Sequence, residues 1–213
     1  MMTDKEVFIS RLRRAAAVRV VPPRRAIAAV DTMPPPVVFA IDTEGVDAFE
    51  AALTALGGTV HRAADLIAAR ALVVEVIGTR SPVVLGCEPD VTALELKGER
   101  WPDCGLHAAA EAAVTVVGCV AMVAATGSVV VDARSARGRS VSLLPPVCIV
   151  VARRSRLVGT PGDVLRNRDD FWPGSVPSQV VFITGPSRSA DIEMTLTRGV
   201  HGPGELHVVV VDG

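Results

Sequence analysis

The chain has 213 residues, which is enough to enclose one sizeable hydrophobic core with room for an appendage. Its net charge is −1, aromatic residues make up 3% and tyrosine is absent, so the composition argues against nucleic-acid binding through basic patches or base stacking. Arginines and prolines interrupt every apolar run before it reaches the roughly 18 residues that a membrane span needs.

The four cysteines stand far apart, and no C-x-x-C motif occurs. The four histidines show none of the spacings that are typical of zinc sites. We therefore expect reduced thiols in a cytoplasmic protein, with no metal site and no iron–sulfur cluster held by this chain alone.

The first 36 residues differ in composition from the rest. Apolar spacing predicts a helix over 3–17, begun by a capping box from Thr3 and Glu6. Dense proline over 18–36 excludes a helix and favours an extended arm. The arginines of this segment form either a docking surface for an acidic partner or a solvated face with packed stems. We divide the chain into an N-terminal helix with a Pro/Arg-rich arm, 1–36, and an α/β domain, 37–213.

Short Val- and Ile-rich runs alternate with segments of helical spacing from residue 37 onward. This alternation predicts an α/β, Rossmann-like sheet with covering helices, and the continuous apolar runs indicate strands buried on both faces. Ligands bind beyond the carboxyl ends of the strands in such sheets. The predicted strands are 37–41, 82–86, 114–117, 129–131, 148–151, 180–183 and 208–211. The predicted helices are 46–56, 63–77, 161–172 and 187–197.

Two hydroxyl-rich loops follow predicted strands and suit an anionic ligand through hydroxyls, backbone N–H groups and an arginine. The predicted anion-binding residues are Thr126, Gly127, Ser128, Thr184, Gly185, Ser187, Arg188 and Ser189. The second loop also fits an ordinary capped helix, in which Asp191 and Glu193 occupy the first turn and oppose an incoming anion.

Three residues are weak candidates for acid–base chemistry. His201 stands on a Gly/Pro-rich loop and serves either as a general base or as a hydrogen-bonding anchor of that loop. Asp191 and Glu193 are two residues apart, so they point to different helix faces and make a poor dyad. The residues leave open whether the chain is an enzyme.

Several motifs together resemble a known family. The segments FITGPSRSADIE at 182–193, GVHGP at 199–203 and LHV at 206–208 closely resemble the C-terminal signature of the lactate-utilization protein C family (LutC/YkgG, LUD domain). AATGS at 124–128 and GRSVSLLP at 138–145 resemble earlier segments of that family. The resemblance implies a fold similar to the NagB/RpiA/CoA-transferase-like group.

The same resemblance implies a role in bacterial L-lactate oxidation to pyruvate. The chain is then an accessory or anion-binding subunit beside partner proteins that carry the iron–sulfur clusters. Three positions depart from the family pattern: Ala125 stands where Glu is frequent, Val120 where Asp is common and Cys148 where His is frequent. The fold relatives suggest an alternative, an enzyme that acts on a phosphorylated or CoA-linked small molecule.

Overall fold

The computed structural model of the protein describes residues 43–189, 197–198 and 201–212. The predicted helix 3–17, the arm 18–36 and the strand 37–41 lie outside the described residues, so the division at residue 36 stays a prediction. Within the described part, no helix is long and apolar enough to cross a membrane.

The described residues form twelve strands, which we number in chain order. They are β1 (Thr59–Ala63), β2 (Val83–Leu85), β3 (Glu99–Arg100), β4 (Val114–Gly118), β5 (Ala121–Val123), β6 (Ser128–Asp132), β7 (Val147–Arg153), β8 (Leu157–Val158), β9 (Val180–Ile183), β10 (Arg188–Ser189), β11 (Thr197–Arg198) and β12 (Glu205–Val211). Every predicted strand within the described residues is confirmed. The prediction succeeded because continuous Val and Ile runs are typical of buried strands.

The helices between these strands are mostly short. They are α1 (Thr43–Ala55), α2 (Leu66–Ile77), α3 (Pro89–Thr92), α4 (Gly105–Glu111), α5 (Ser140–Leu143), α6 (Pro161–Arg166) and α7 (Arg168–Phe171), with a 3-10 turn at Arg154–Arg156. The predicted helix 63–77 begins later, at Leu66, because the Asp65 side chain accepts a hydrogen bond from the Ala68 amide at 2.8 Å and caps the helix there. The predicted helix 161–172 is divided at Asn167 into α6 and α7.

Six parallel strands form the main sheet, in the order β1–β12–β7–β4–β2–β3. A second sheet of four strands, in the order β8–β5–β6–β9, is mostly antiparallel. The predicted strands 129–131 and 180–183 thus belong to this second sheet. The α/β class with a mostly parallel central sheet is confirmed.

The main sheet is buried on both faces, as the apolar runs predicted. Cys148, Val150 and Ala152 of β7 share one apolar cluster with residues of α1 and of the second sheet. The alternating residues Val147, Ile149 and Val151 share the opposite cluster with residues of α2. Because successive side chains of a strand point to opposite faces, α1 and the second sheet cover one face and α2 covers the other.

The predicted helix 187–197 is wrong at both ends. Arg188 and Ser189 form β10, which pairs antiparallel with Thr197 and Arg198 of β11. The Ser187 amide also donates to the Pro203 carbonyl at 2.7 Å. Serine and threonine, which stand at both ends of this segment, have lower helix propensity than alanine or leucine, so the strand pairing overrides a weak helical spacing there. Asp191 and Glu193 lie outside the described residues.

Candidate functional site

A cavity of about 560 Å³ opens at the carboxyl edge of the main sheet. The six strands are parallel, so their carboxyl ends meet at this edge, where α/β proteins place their ligands. Glu88 follows β2, Cys119 follows β4 and Arg156 follows β7, and all three line the cavity. Asp132, the last residue of β6, and Trp172, after α7, complete the wall from the second sheet.

Glu88 is the least satisfied polar side chain in this wall. It is 5% exposed, and neither carboxyl oxygen makes a hydrogen bond of normal geometry within the described part of the chain. Burial raises the pKa of Glu88 to about 7; the charge of Asp132 adds to the shift, while the backbone N–H groups of Glu88 and Gly118 offset part of it. The carboxyl therefore exchanges its proton near neutral pH.

Two glycines give the Glu88 side chain its place. A Cβ at Gly118 would lie 2.7 Å from the Glu88 Cβ and 3.0 Å from its Cγ, and a Cβ at Gly86 would overlap its carboxyl group. Contacts under 3.0 Å are not tolerated, so any larger residue at these positions would displace the carboxyl. The ends of β2 and β4 are therefore shaped around Glu88.

Asp132 is buried but fully hydrogen-bonded. Its Oδ1 accepts from the amides of Arg134 at 2.6 Å and Ser135 at 2.9 Å, and its Oδ2 accepts from the Ser135 hydroxyl at 2.8 Å and the Trp172 indole at 3.1 Å. Burial alone would raise the pKa of Asp132, but these hydrogen bonds outweigh it and lower the pKa. Asp132 is thus a fixed negative charge that holds the loop after β6.

Arg156 is held at the cavity wall by two contacts. One terminal nitrogen pairs with Oδ2 of the buried Asp90 at 3.2 Å, and the other donates to the Cys119 carbonyl. Asp90 also accepts from Arg153 Nε at 2.7 Å. A guanidinium has five N–H donors, so Arg156 keeps donors for a ligand beyond these two contacts.

This arrangement combines a proton-exchanging carboxyl, a positioned guanidinium and an aromatic wall. Its volume lies in the range of small-molecule pockets, which are largely apolar with a few convergent polar groups. Perturbed carboxyls in such clefts are typical of binding and catalytic sites. Among the described residues, no group of three His, Cys, Asp or Glu side chains could hold a metal ion.

The structure brings the hydroxyl-rich loops together at a different place. The hydroxyl of the buried Ser128 lies 2.7 Å from that of Thr126 and 2.8 Å from that of Thr184. Ser128 begins β6 and Asp132 ends it, so this hydroxyl cluster and the cavity lie at opposite ends of the strand. A hydrogen-bonded chain of three hydroxyls thus joins the two loops.

The same loops pack against the end of α1. A Cβ at Gly127 would overlap the backbone of Leu53, and a Cβ at Gly185 would approach the Leu56 Cβ at 3.0 Å. The guanidinium of Arg188 lies against Gly57, which follows α1. The loops therefore form the surface on which the end of α1 packs. Their binding of an anion stays a prediction.

Ser187 and His201 meet beside this cluster. The His201 amide donates to the Ser187 hydroxyl at 3.4 Å, and the His201 side chain is exposed. Ser189 lies in β10, where it pairs with Thr197. This contact is made by the backbone amide of residue 201, so the role of its imidazole stays a prediction.

The three departures from the family pattern lie in separate environments. Val120 lines the cavity. Ala125 is exposed in the turn between β5 and β6. Cys148 is fully buried in β7, where burial raises the pKa of its thiol to about 12. Val120 and Cys148 therefore both lie near Glu88, whereas Ala125 lies before the start of β6, at the other end of that strand.

Sequence reasoning missed Glu88, Asp132 and Arg156. The rule that ligands bind beyond the carboxyl ends of strands was available, and each of these residues ends or follows a predicted strand. What distinguishes this site from other strand ends is the buried carboxyl of Glu88, which lacks normal hydrogen bonds and packs against two glycines. These contacts join strands that are far apart in sequence, so the sequence alone does not reveal them.

Comparisons with known proteins identify the family and agree with the fold. The model of the LUD domain matches residues 46–211. A solved structure, the crystal structure of a DUF162 family protein from Deinococcus radiodurans, superposes with a TM-score of 0.61 at 20% identity, covering 81% of this chain and 99% of that one. This likeness shows the same fold.

Relatives with higher identity match a shorter stretch. Lactate utilization protein C of Shouchella clausii is 44% identical over 90 residues, which is 42% of this chain and 39% of the relative. The protein of the same name from Bacillus velezensis is 36% identical over 136 residues, which is 55% of each chain. The matches thus span about half or less of these relatives' lengths. Because the domain model covers most of the sequence, the chain belongs to the LUD domain family.

Proposed function

We propose that this chain is a component of a bacterial L-lactate utilization system, which oxidises lactate to pyruvate. The observation that carries the proposal is the similarity to relatives named lactate utilization protein C, joined with a LUD domain over residues 46–211. The chain serves as an accessory or anion-binding subunit, and partner proteins carry the iron–sulfur clusters.

The cavity at the carboxyl edge supports the anion-binding part of this role. Arg134 and Arg156 line it, and a guanidinium binds a carboxylate with charge-assisted hydrogen bonds. Lactate and pyruvate are both small carboxylates. The division of labour leaves substrate or product handling to this chain and electron transfer to its partners.

A deletion of the gene in its own host tests the proposal. We expect the deletion strain to lose growth on L-lactate as sole carbon source while growth on pyruvate is unchanged, and a plasmid copy to restore growth. The tagged chain should recover proteins with iron–sulfur absorbance from lactate-grown cells. Normal lactate growth of the deletion strain would refute the proposal.

A thermal-shift series separates this role from the alternative, an enzyme for phosphorylated or CoA-linked molecules. Stabilisation by a CoA ester or a sugar phosphate, without stabilisation by lactate or pyruvate, would favour the alternative. The reverse result would favour the lactate system.

A further inference from the structure

We propose that the cavity at the carboxyl edge binds a small carboxylic acid together with one proton, and that Glu88 holds this proton. Nothing in the family match assigns this cavity or this residue. The identity of the acid, a 2-hydroxy or 2-oxo acid such as lactate or pyruvate, rests on the proposed function. The site itself rests on the geometry.

The first step of the argument is that Glu88 is built into the cavity wall. Gly86 and Gly118 leave room for its side chain, and 5% exposure removes it from bulk water. A buried carboxyl without hydrogen bonds of normal geometry costs free energy, and folded proteins seldom keep one without a reason. A ligand that supplies the missing partner is such a reason.

The second step is that the buried titratable groups around Glu88 are already engaged or neutral. Asp132 accepts four hydrogen bonds, and Asp90 pairs with Arg153 and Arg156. Burial raises the thiol pKa of Cys119 and Cys148 to about 12, so both stay neutral. Titratable and charged groups face Glu88 from its own segment and from the elements around it, which are β4, β6, β7, the 3-10 turn and α7. They are Cys87, Asp90, Cys119, Asp132, Arg134, Cys148, Arg156 and Asp170.

The third step concerns the charge of the ligand. A protonated Glu88 donates an O–H hydrogen bond, which a ligand carboxylate accepts, whereas an ionised Glu88 beside Asp132 repels it. Arg156, which also lines the cavity, adds charge-assisted donors. The rings of Phe171 and Trp172 provide an apolar surface for a short carbon chain. A carboxylate therefore fits best when it arrives with a proton.

Calorimetric titration of the full chain with pyruvate and with L-lactate tests the proposal. Between about pH 6 and pH 8.5 we expect the affinity to weaken, with a rise in Kd that approaches ~10-fold per pH unit at the alkaline end. Titration in buffers of different ionisation enthalpy should show uptake of close to one proton per ligand at alkaline pH. An affinity that does not change with pH, or no binding by either acid, would overturn the proposal.

Glu88→Gln is the decisive variant, because its amide keeps the shape and a hydrogen-bond donor but cannot ionise. We expect it to bind with a Kd that is nearly constant over this pH range and without proton uptake. Glu75→Gln, at an exposed carboxyl of α2, should behave like the wild type. Retained pH dependence in Glu88→Gln would contradict the role of Glu88.

A second variant tests the place of binding without touching Glu88. Ser155 is exposed and lines the cavity, so Ser155→Trp should fold normally and fill the opening. We expect it to lose binding by at least ~10-fold, which is about 1.4 kcal/mol. Unchanged binding would place the ligand elsewhere, such as at the hydroxyl cluster.

The outcomes separate this inference from the proposed function. If the deletion strain fails on lactate but the chain binds neither acid, the proposed function stands and the cavity inference fails. If the chain binds with a proton but the deletion strain grows normally on lactate, the cavity inference stands and the proposed function fails.

Discussion

At the scale of single residues, Glu88 combines two properties that rarely occur together. Its carboxyl is almost completely buried, and its oxygens make no hydrogen bond of normal geometry in the part of the chain that the structure describes. Asp132 shows the usual solution for a buried carboxylate, with four donors around two oxygens. The difference between the two carboxyls indicates that Glu88 is kept available and Asp132 is structural.

Glu88 should make the protein less stable as the pH rises. Its pKa is about 7 in the folded protein against an ordinary value of 4.5, so folding favours the protonated form. The stabilisation is complete below about pH 4.5, declines as the pH rises to about 7 and changes little above that, and its full size is roughly 3 kcal/mol. We expect Glu88→Gln to be more stable than the wild type at pH 8 and nearly equal at pH 4.5, measured by urea unfolding.

The exposed Glu75→Gln should show no such dependence on pH relative to the wild type. A constant difference in unfolding free energy between Glu88→Gln and the wild type at both pH values would mean that Glu88 titrates alike in the folded and unfolded chains.

At the scale of elements, the hydroxyl-rich loops act as the seat of α1. Gly127 has a φ of +61°, and a Cβ there would overlap the backbone of Leu53. The hydroxyls of Thr126, Ser128 and Thr184 join the start of β6 to the residue after β9. Close packing of a loop on a helix backbone explains the glycine, and the hydroxyls satisfy one another inside the contact.

Gly127→Ala should therefore lower the free energy of unfolding by about 2–4 kcal/mol, since it combines positive-φ strain with a steric clash against backbone atoms that cannot move freely. Gly174→Ala is the matched control: its φ is +83°, but nothing lies within 4 Å of the position that a Cβ would take. It should show the strain alone, about 1 kcal/mol. If the two variants lost equal unfolding free energy in urea, the packing of α1 against this loop would add nothing to the cost of the substitution.

At the scale of the whole molecule, the sequence predicted the individual strands better than their arrangement in sheets. Buried runs such as 114–117 and 208–211 are strands because Val and Ile pack on both faces, a local property that composition reveals. The division into two sheets depends on pairing between segments far apart in sequence, which spacing does not encode, and the antiparallel pairing of β10 with β11 overrides the helical spacing of that segment. The cavity was missed for the same reason, since Glu88, Asp132 and Arg156 meet only after three strands align.

The two edges of the main sheet should respond to pH in opposite directions. Glu88 lies beyond the carboxyl end of β2, whereas His207 lies in the amino-terminal half of β12 and stacks on His61 of β1, with 3.2 Å between ring nitrogens. Burial and then the neighbouring His61 lower the pKa of His207, although Glu205 opposes the shift. The folded protein therefore favours the neutral imidazole, and stability present above the ordinary pKa of 6.5 is lost as the pH falls towards the folded value.

His207→Gln removes this titration, so we expect it to gain stability relative to the wild type as the pH falls from about 7.5 to about 5.5 in urea unfolding. His107→Gln, at an exposed position on α4, is the control and should track the wild type. Parallel profiles of His207→Gln and the wild type would mean that His207 titrates alike in the folded and unfolded chains. In the double variant with Glu88→Gln, the two effects should add, because the residues lie at opposite edges of the sheet and share no partner.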